Sequence, residues 1–199
     1  MTTIDIFIFD SRNFTYSELV EILKIDENSE KLLQKFACEE VRKEKLVSLF
    51  YKEQFVPNYS IDKNGKPISP NLHFNISHSK GMVAFVMNKS RPIGVDIEEI
   101  RPVEDKLKRY VSTEEEYQQI DSDESFFKIW TSKESLVKCV GIGIKKQPKN
   151  IPSLPFNGIK NYEGKVYRSK TIRFANYIGS ITLEGKQDYQ IRVHKESVI

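Results

Sequence analysis

The sequence predicts an α+β fold, and three stretches carry that prediction. Residues 3–9 alternate, residues 28–55 and 123–140 repeat their apolar positions at helical spacing, and residues 165–194 are rich in β-branched and aromatic side chains. With 39% hydrophobic and 30% charged residues over 199 positions, the chain has the makings of one sizeable core or two small ones.

At the N-terminus, Ile4, Ile6 and Ile8 alternate with Asp5, Phe7 and Phe9, the period of a strand. From Asn28 to Phe55, Leu32, Leu33, Phe36, Val41, Leu46, Val47, Leu49 and Phe50 mark one long amphipathic helix or two shorter ones, with Pro57 as the stop. Asp62-Lys63-Asn64-Gly65-Lys66-Pro67 is dense in turn formers and reads as an ordered surface loop. Met82–Met87, apolar throughout, and Ile93–Ile97 follow as a hairpin or closely related strand pair, the first covered on both faces. Ser112 to Glu116 offers a capping-box helix start, and Asp123-Glu124 begins a helix that ends at Gly141. The stretch 165–194 reads as a closing antiparallel meander.

Thirty-one Lys and Arg against 28 Asp and Glu leave +3, too little and too evenly spread for a nucleic-acid track. Asp5, Asp10, Arg12, Glu18, Glu21 and Lys24 interrupt any leader peptide, and no apolar run is long enough for a membrane span, so a cytoplasmic protein is expected. Cys38, Cys139 and three histidines are too few and too scattered for a zinc site.

Chemistry is concentrated in a few places where the pattern breaks. Gly94, Asp96 and Glu98 share one face of a strand, with the two acids roughly 6.5–7 Å apart at Cα, near enough to converge on one cation. The glycine is expected to leave that face open to a ligand. On the helix over 126–140, Lys133 and Glu134 fall inside the apolar half with Lys138 at its border, while Ser132, Ser135 and Cys139 fall on the polar half. Charges in such a stripe are costly unless partnered, which points to function or to long side chains reaching out to surface charges. Phe74-Asn75-Ile76-Ser77-His78-Ser79 sets polar donors before Gly81, an arrangement suited to anchoring phosphate oxygens, although a histidine there is as readily structural. Lys66 before Pro67 is either a loop charge or a phosphate clamp. Gly141-Ile142-Gly143 follows a helix and is a C-cap, no dinucleotide fingerprint.

In chain order, Lys66-Pro67, Phe74 to Ser79, Gly94-Val95-Asp96-Ile97-Glu98, and Phe127-x-x-Trp130-Thr131-x-Lys133-Glu134-Ser135-x-x-Lys138 with Gly141-x-Gly143 resemble the motifs of the 4′-phosphopantetheinyl transferases of the surfactin-synthetase-activating type. The resemblance implies a pseudodimer of two similar α+β halves, each with a long helix packed on an antiparallel sheet, the halves being 1–91 and 92–199. It implies transfer of the 4′-phosphopantetheine arm of coenzyme A to a serine of an apo acyl or peptidyl carrier protein, with release of adenosine 3′,5′-bisphosphate and dependence on Mg²⁺. The alternative is an inactive relative that binds coenzyme A or a carrier protein.

On that resemblance Lys66, Pro67, Asn75, Ser77, His78, Asp96 and Lys138 would bind the cofactor, and Asp96, Glu98 and Glu134 the metal. Glu134, or a water it holds, would be the base and Lys138 would offset charge on the pyrophosphate. Lys133 would orient carboxylates or touch phosphate. Where relatives carry an arginine-rich helix, Arg42-Lys43-Glu44-Lys45 has an acid in the middle, with Lys43 and Lys45 the candidates for phosphate. Arg101 to Glu116, with Tyr110 and Val111, is expected to face the carrier protein. A monomer with no nucleic-acid or membrane partner is expected.

Overall fold

The structure, a computed structural model, describes residues 2–56, 58–62, 67–142 and 147–195. Pro57, the loop residues 63–66 and Gly143 lie outside them.

The architecture is mixed α+β in four layers: helices, sheet, sheet, helix. Strand β1 (Thr2–Asp10) leads through α1 (Tyr16–Ile22) and α2 (Glu27–Leu33) to α3 (Glu39–Phe55). The region 28–55 therefore holds parts of two helices. The short pair β2 (Ser60–Ile61) and β3 (Pro67–Ile68) precedes the hairpin of β4 (His73–Ser79) and β5 (Met82–Asn88). Next come β6 (Ile93–Glu99), α4 (Asp105–Val111), α5 (Glu114–Tyr117) and α6 (Asp123–Val140). The chain closes with β7 (Gly158–Tyr162), β8 (Lys165–Phe174), β9 (Tyr177–Glu184) and β10 (Tyr189–Lys195).

The first sheet runs β10-β1-β5-β4 and the second β6-β9-β8-β7. They face each other across a core built from Ile4, Ile6 and Ile8, Ala84 and Val86, and Ile93, Val95 and Ile97. The opposite faces of β1 and β5 turn Phe9, Val83 and Phe85 towards Leu46, Val47 and Tyr51 of α3. The uninterrupted apolar run of β5 follows from this, because both of its faces are covered.

Three sequence expectations change. β5 and β6 belong to different sheets, and the hairpin is β4–β5. The 165–194 stretch is no meander: β8 and β9 pair antiparallel, but β10 leaves them to run parallel to β1, from Thr2↔Tyr189 to Ile8↔Lys195. The first sheet is consequently mixed instead of antiparallel. Strand patterning marks which side chains are buried but not which edge receives the strand, and β1 offers a bare one. Finally, α6 is buried almost all round: Ser132, Ser135 and Cys139 are enclosed as fully as Leu136 and Val137. Their hydroxyls are satisfied internally, Ser132 donating to Ser153 O at 2.8 Å and Ser135 bonding the Thr182 hydroxyl at 2.8 Å.

α6 begins at a Ser122 capping box and ends at Gly141, whose φ of 89° is the left-handed conformation glycine adopts without strain. α5 starts, as the sequence indicates, with the Thr113–Glu116 capping box.

Candidate active site

Strand β6 carries two of the acids, and α6 packs directly on it. Gly94 is the point of closest approach: a Cβ there would lie 2.1 Å from Ser135 O and 2.4 Å from Cys139 N. The glycine therefore admits the helix backbone instead of leaving room for a ligand, correcting the sequence reading. This close approach brings the α6 side chains onto the acidic face of the strand. Lys138 Nζ donates to Asp96 Oδ1 at 2.6 Å and to Ser77 Oγ at 3.1 Å.

Asp96 is buried, and desolvation raises its pKa against the opposing pull of Lys138. Its second oxygen, Oδ2, is enclosed and has no hydrogen-bond partner among the described residues. Glu98 Oε2 accepts from Ser79 Oγ at 2.8 Å and from Arg101 Nη1 at 3.0 Å. Glu134 is pushed up to about 7, first by burial and then by the neighbouring negative charge of Asp96 and Glu98. Asp96, Glu98 and Glu134 thus sense one another electrostatically, although among the described residues no three His, Cys, Asp or Glu side chains are gathered as a ready metal cage.

Lys133 points elsewhere. Fully buried, it donates to Glu116 Oε2 at 2.7 Å and to Pro148 O at 2.9 Å. Ser153 completes the knot through its hydroxyl and N–H to Glu116 Oε1. Lys133 is thereby a structural tie between α6, α5 and the segment after α6, and it neither orients the acids nor faces a phosphate.

On the other side of β4 lies a cavity of about 370 Å³, lined among others by Lys45, Lys52, Pro67, Phe74, Asn75 and His78. His78 Nδ1 lies 2.9 Å from Glu44 Oε2, and its Nε2 lies 3.1 Å from Lys45 Nζ. An ionised Glu44 can only accept, so Nδ1 carries a proton towards it. Glu44 also accepts the Gly81 N–H at 2.8 Å. Burial pushes its carboxyl up, but the bonds from His78 and Gly81 outweigh this and leave it below its ordinary value. The acid that interrupts the basic helix is therefore the anchor of His78, a role sequence reading missed. The helical positions 44, 47, 48 and 51 are all buried, so the same stripe test that singles out Glu134 would have found it.

Of the remaining candidates, Pro67, Asn75 and His78 border the cavity, whereas Ser77 is turned to Asp96. Lys45 borders the cavity too, but Lys43 donates to Phe14 O at 2.9 Å and is occupied in the fold. Lys66 lies outside the described residues. Along 101–116, Leu107 and Tyr110 are exposed, but Val111 is fully buried in the core and belongs to no docking face.

Acids on one side of β4 and basic groups on the other suit a phosphorylated ligand that meets both a cation and fixed positive charge. The family model of the 4′-phosphopantetheinyl transferase superfamily matches residues 92–193, and the chain belongs to that superfamily. It is 35% identical over 95 residues to 4′-phosphopantetheinyl transferase psf-1 of Bacillus pumilus, covering 43% of this chain and 40% of the relative. To 4′-phosphopantetheinyl transferase Sfp of Bacillus subtilis it is 37% identical over 95 residues, covering 43% and 42%. A longer match, 27% identical over 173 residues and 69% of this chain, joins it to 67% of the L-aminoadipate-semialdehyde dehydrogenase-phosphopantetheinyl transferase of Schizosaccharomyces pombe. The chain thus spans about two fifths of the length of the bacterial relatives it matches.

Proposed function

We propose that this protein moves the 4′-phosphopantetheine arm of coenzyme A onto a serine hydroxyl of an apo carrier protein, with Mg²⁺ bound by Asp96, Glu98 and Glu134. The observation that carries the proposal is that α6 lays Lys138 on Asp96 at 2.6 Å, with Glu98 and Glu134 within electrostatic reach of that acid, while a cavity across β4 is bordered by Lys45 and His78.

The donor set suits a hard divalent cation: carboxylates only, one of them with a buried oxygen, Asp96 Oδ2, left without a partner among the described residues. When bound, such an ion would draw charge from the pyrophosphate oxygens. The chain's own groups supply the rest. His78, held by Glu44, and Lys45 bind the phosphorylated nucleotide end, with Pro67, Asn75 and Lys66 contributing on the strength of the family motif. Glu134 takes the serine proton at its carboxylate while the serine Oγ forms a bond to the β-phosphorus. The P–O bond to adenosine 3′,5′-bisphosphate breaks, and Lys138 offsets the negative charge gathering there. Ser77, hydrogen-bonded to Asp96, acts through that acid.

The two layers of sheet, each backed by a helix of 17 or 18 residues, support reading the fold as a pseudodimer of two α+β halves, with β10 lent by the second to the first. The carrier protein would dock where Leu107, Phe127 and Trp130 line a groove of about 350 Å³ that ends on Glu98 and Arg101, beside the acids. Incubation with coenzyme A labelled in its arm and an apo carrier protein, with Mg²⁺ and with a chelator, tests the whole. Mg²⁺-dependent labelling of the carrier is expected; binding of coenzyme A with no transfer would leave an inactive relative.

A further inference from the structure

β4 and β6 lie side by side yet belong to different sheets, and between them alternate side chains do the bonding that a backbone ladder would otherwise do. Val95 N–H donates to Asn75 Oδ1 at 3.0 Å, Ile97 N–H to Ser77 Oγ at 3.3 Å and Glu99 N–H to Ser79 Oγ at 3.4 Å. The two serines spend their own protons on acids, Ser77 on Asp96 Oδ1 at 2.9 Å and Ser79 on Glu98 Oε2 at 2.8 Å. Each hydroxyl thus clasps the N–H of one residue and the carboxylate of the residue before it. The period-two spacing of both strands repeats the arrangement one step along.

We propose that Ser79 is a positioning residue that sets Glu98 for cation binding and ties that setting to the contact between the two sheets. The inference rests on the reading of Asp96, Glu98 and Glu134 as the ligands. A hydroxyl suits the position because it can accept from a backbone N–H and donate to a carboxylate at the same time. Without it, the Glu99 N–H loses its partner and Glu98 is left to Arg101, which bonds the same Oε2 at 3.0 Å and carries the more exposed side chain of that ion pair. Glu98 would then be drawn outward, away from Asp96. Hydrogen-bond partners of ligating carboxylates typically govern metal affinity by about 10–100-fold.

The test is calorimetric titration of Mn²⁺ alone into the full chain, independent of any transfer activity. Ser79→Ala should bind Mn²⁺ about 10-fold more weakly, and Ser79→Thr, which keeps the hydroxyl, should bind as the unmodified protein does. Arg101→Gln, which keeps the serine bond, should bind no more weakly than the unmodified protein and keeps the idea testable if Ser79→Ala fails to fold. Equal affinity in Ser79→Ala, no rescue by threonine, or weakening in Arg101→Gln would each overturn the serine's role while leaving the ligand assignment standing. Absence of saturable Mn²⁺ binding by the unmodified protein would instead overturn that assignment and this inference with it.

Discussion

Gly94 lies so close to Ser135 that α6 rests on β6 with no side chain between them, a Cβ added at Gly94 falling 2.1 Å from the Ser135 carbonyl oxygen. A backbone atom cannot swing aside as a side chain can. Gly94→Ala should therefore lift the helix, separate Lys138 from Asp96, and cost roughly 3 kcal/mol or more, since overpacking against backbone exceeds the usual side-chain case. Urea denaturation measures the loss. A midpoint like that of the parent protein would mean that the helix contact is softer than the geometry indicates.

Lys133 and Glu116 form a buried pair, so removal of one member strands the other. Lys133→Met should destabilise the fold by about 3–5 kcal/mol, and adding Glu116→Met should recover only part of it, because Ser153 and the Thr113 N–H then lose their acceptor. In whatever protein remains folded, affinity for coenzyme A should be unchanged, because the lysine lies on the Glu116 and Pro148 side of α6. A selective rise in the Kd for coenzyme A at normal stability would restore a phosphate contact.

Glu134 gives the cation-free protein a pH dependence of definite sign. Its pKa rises from 4.5 to about 7 on folding, so the folded state holds the proton more tightly. Stability from this group is complete below about 4.5 and is lost as the pH climbs to about 7. The side chain is only partly enclosed, so solvent screening trims the effect to about 1–2 kcal/mol. Melting curves in chelator between pH 5 and 8 should show a smaller decline for Glu134→Gln than for the parent. Parallel curves would remove Glu134 from the electrostatic cluster.

His78→Ala should weaken binding of coenzyme A by about 10-fold, the loss of one charge-rich polar contact, and Glu44→Gln should weaken it less through a misplaced imidazole. Equilibrium titration separates the two. Unchanged affinity in His78→Ala would leave the Glu44–His78 bond a purely structural one.

Much of this site could be read in the chain because its signals are local. A strand of alternating residues sets Asp96 and Glu98 on one face, and a helical projection finds Glu134 where no charge belongs. The same projection could not tell Lys133 from Glu134, since only the fold reveals that one meets Glu116 and the other meets Asp96. The parallel pairing of β10 with β1 and the side-chain seam between β4 and β6 join residues far apart in sequence, and no local period encodes them. Gly94 illustrates the limit well: its smallness is legible, but whether it yields to a ligand or to a helix is decided by packing.

Whether Glu134 drives the transfer is read from the rate at which labelled phosphopantetheine passes from coenzyme A to an apo carrier protein in saturating Mg²⁺, compared between the parent protein and Glu134→Gln. A loss of about 10²-fold or more in kcat is expected, the usual scale for removing a positioned base. A rate in Glu134→Gln close to that of the parent protein would take Glu134 out of the chemistry.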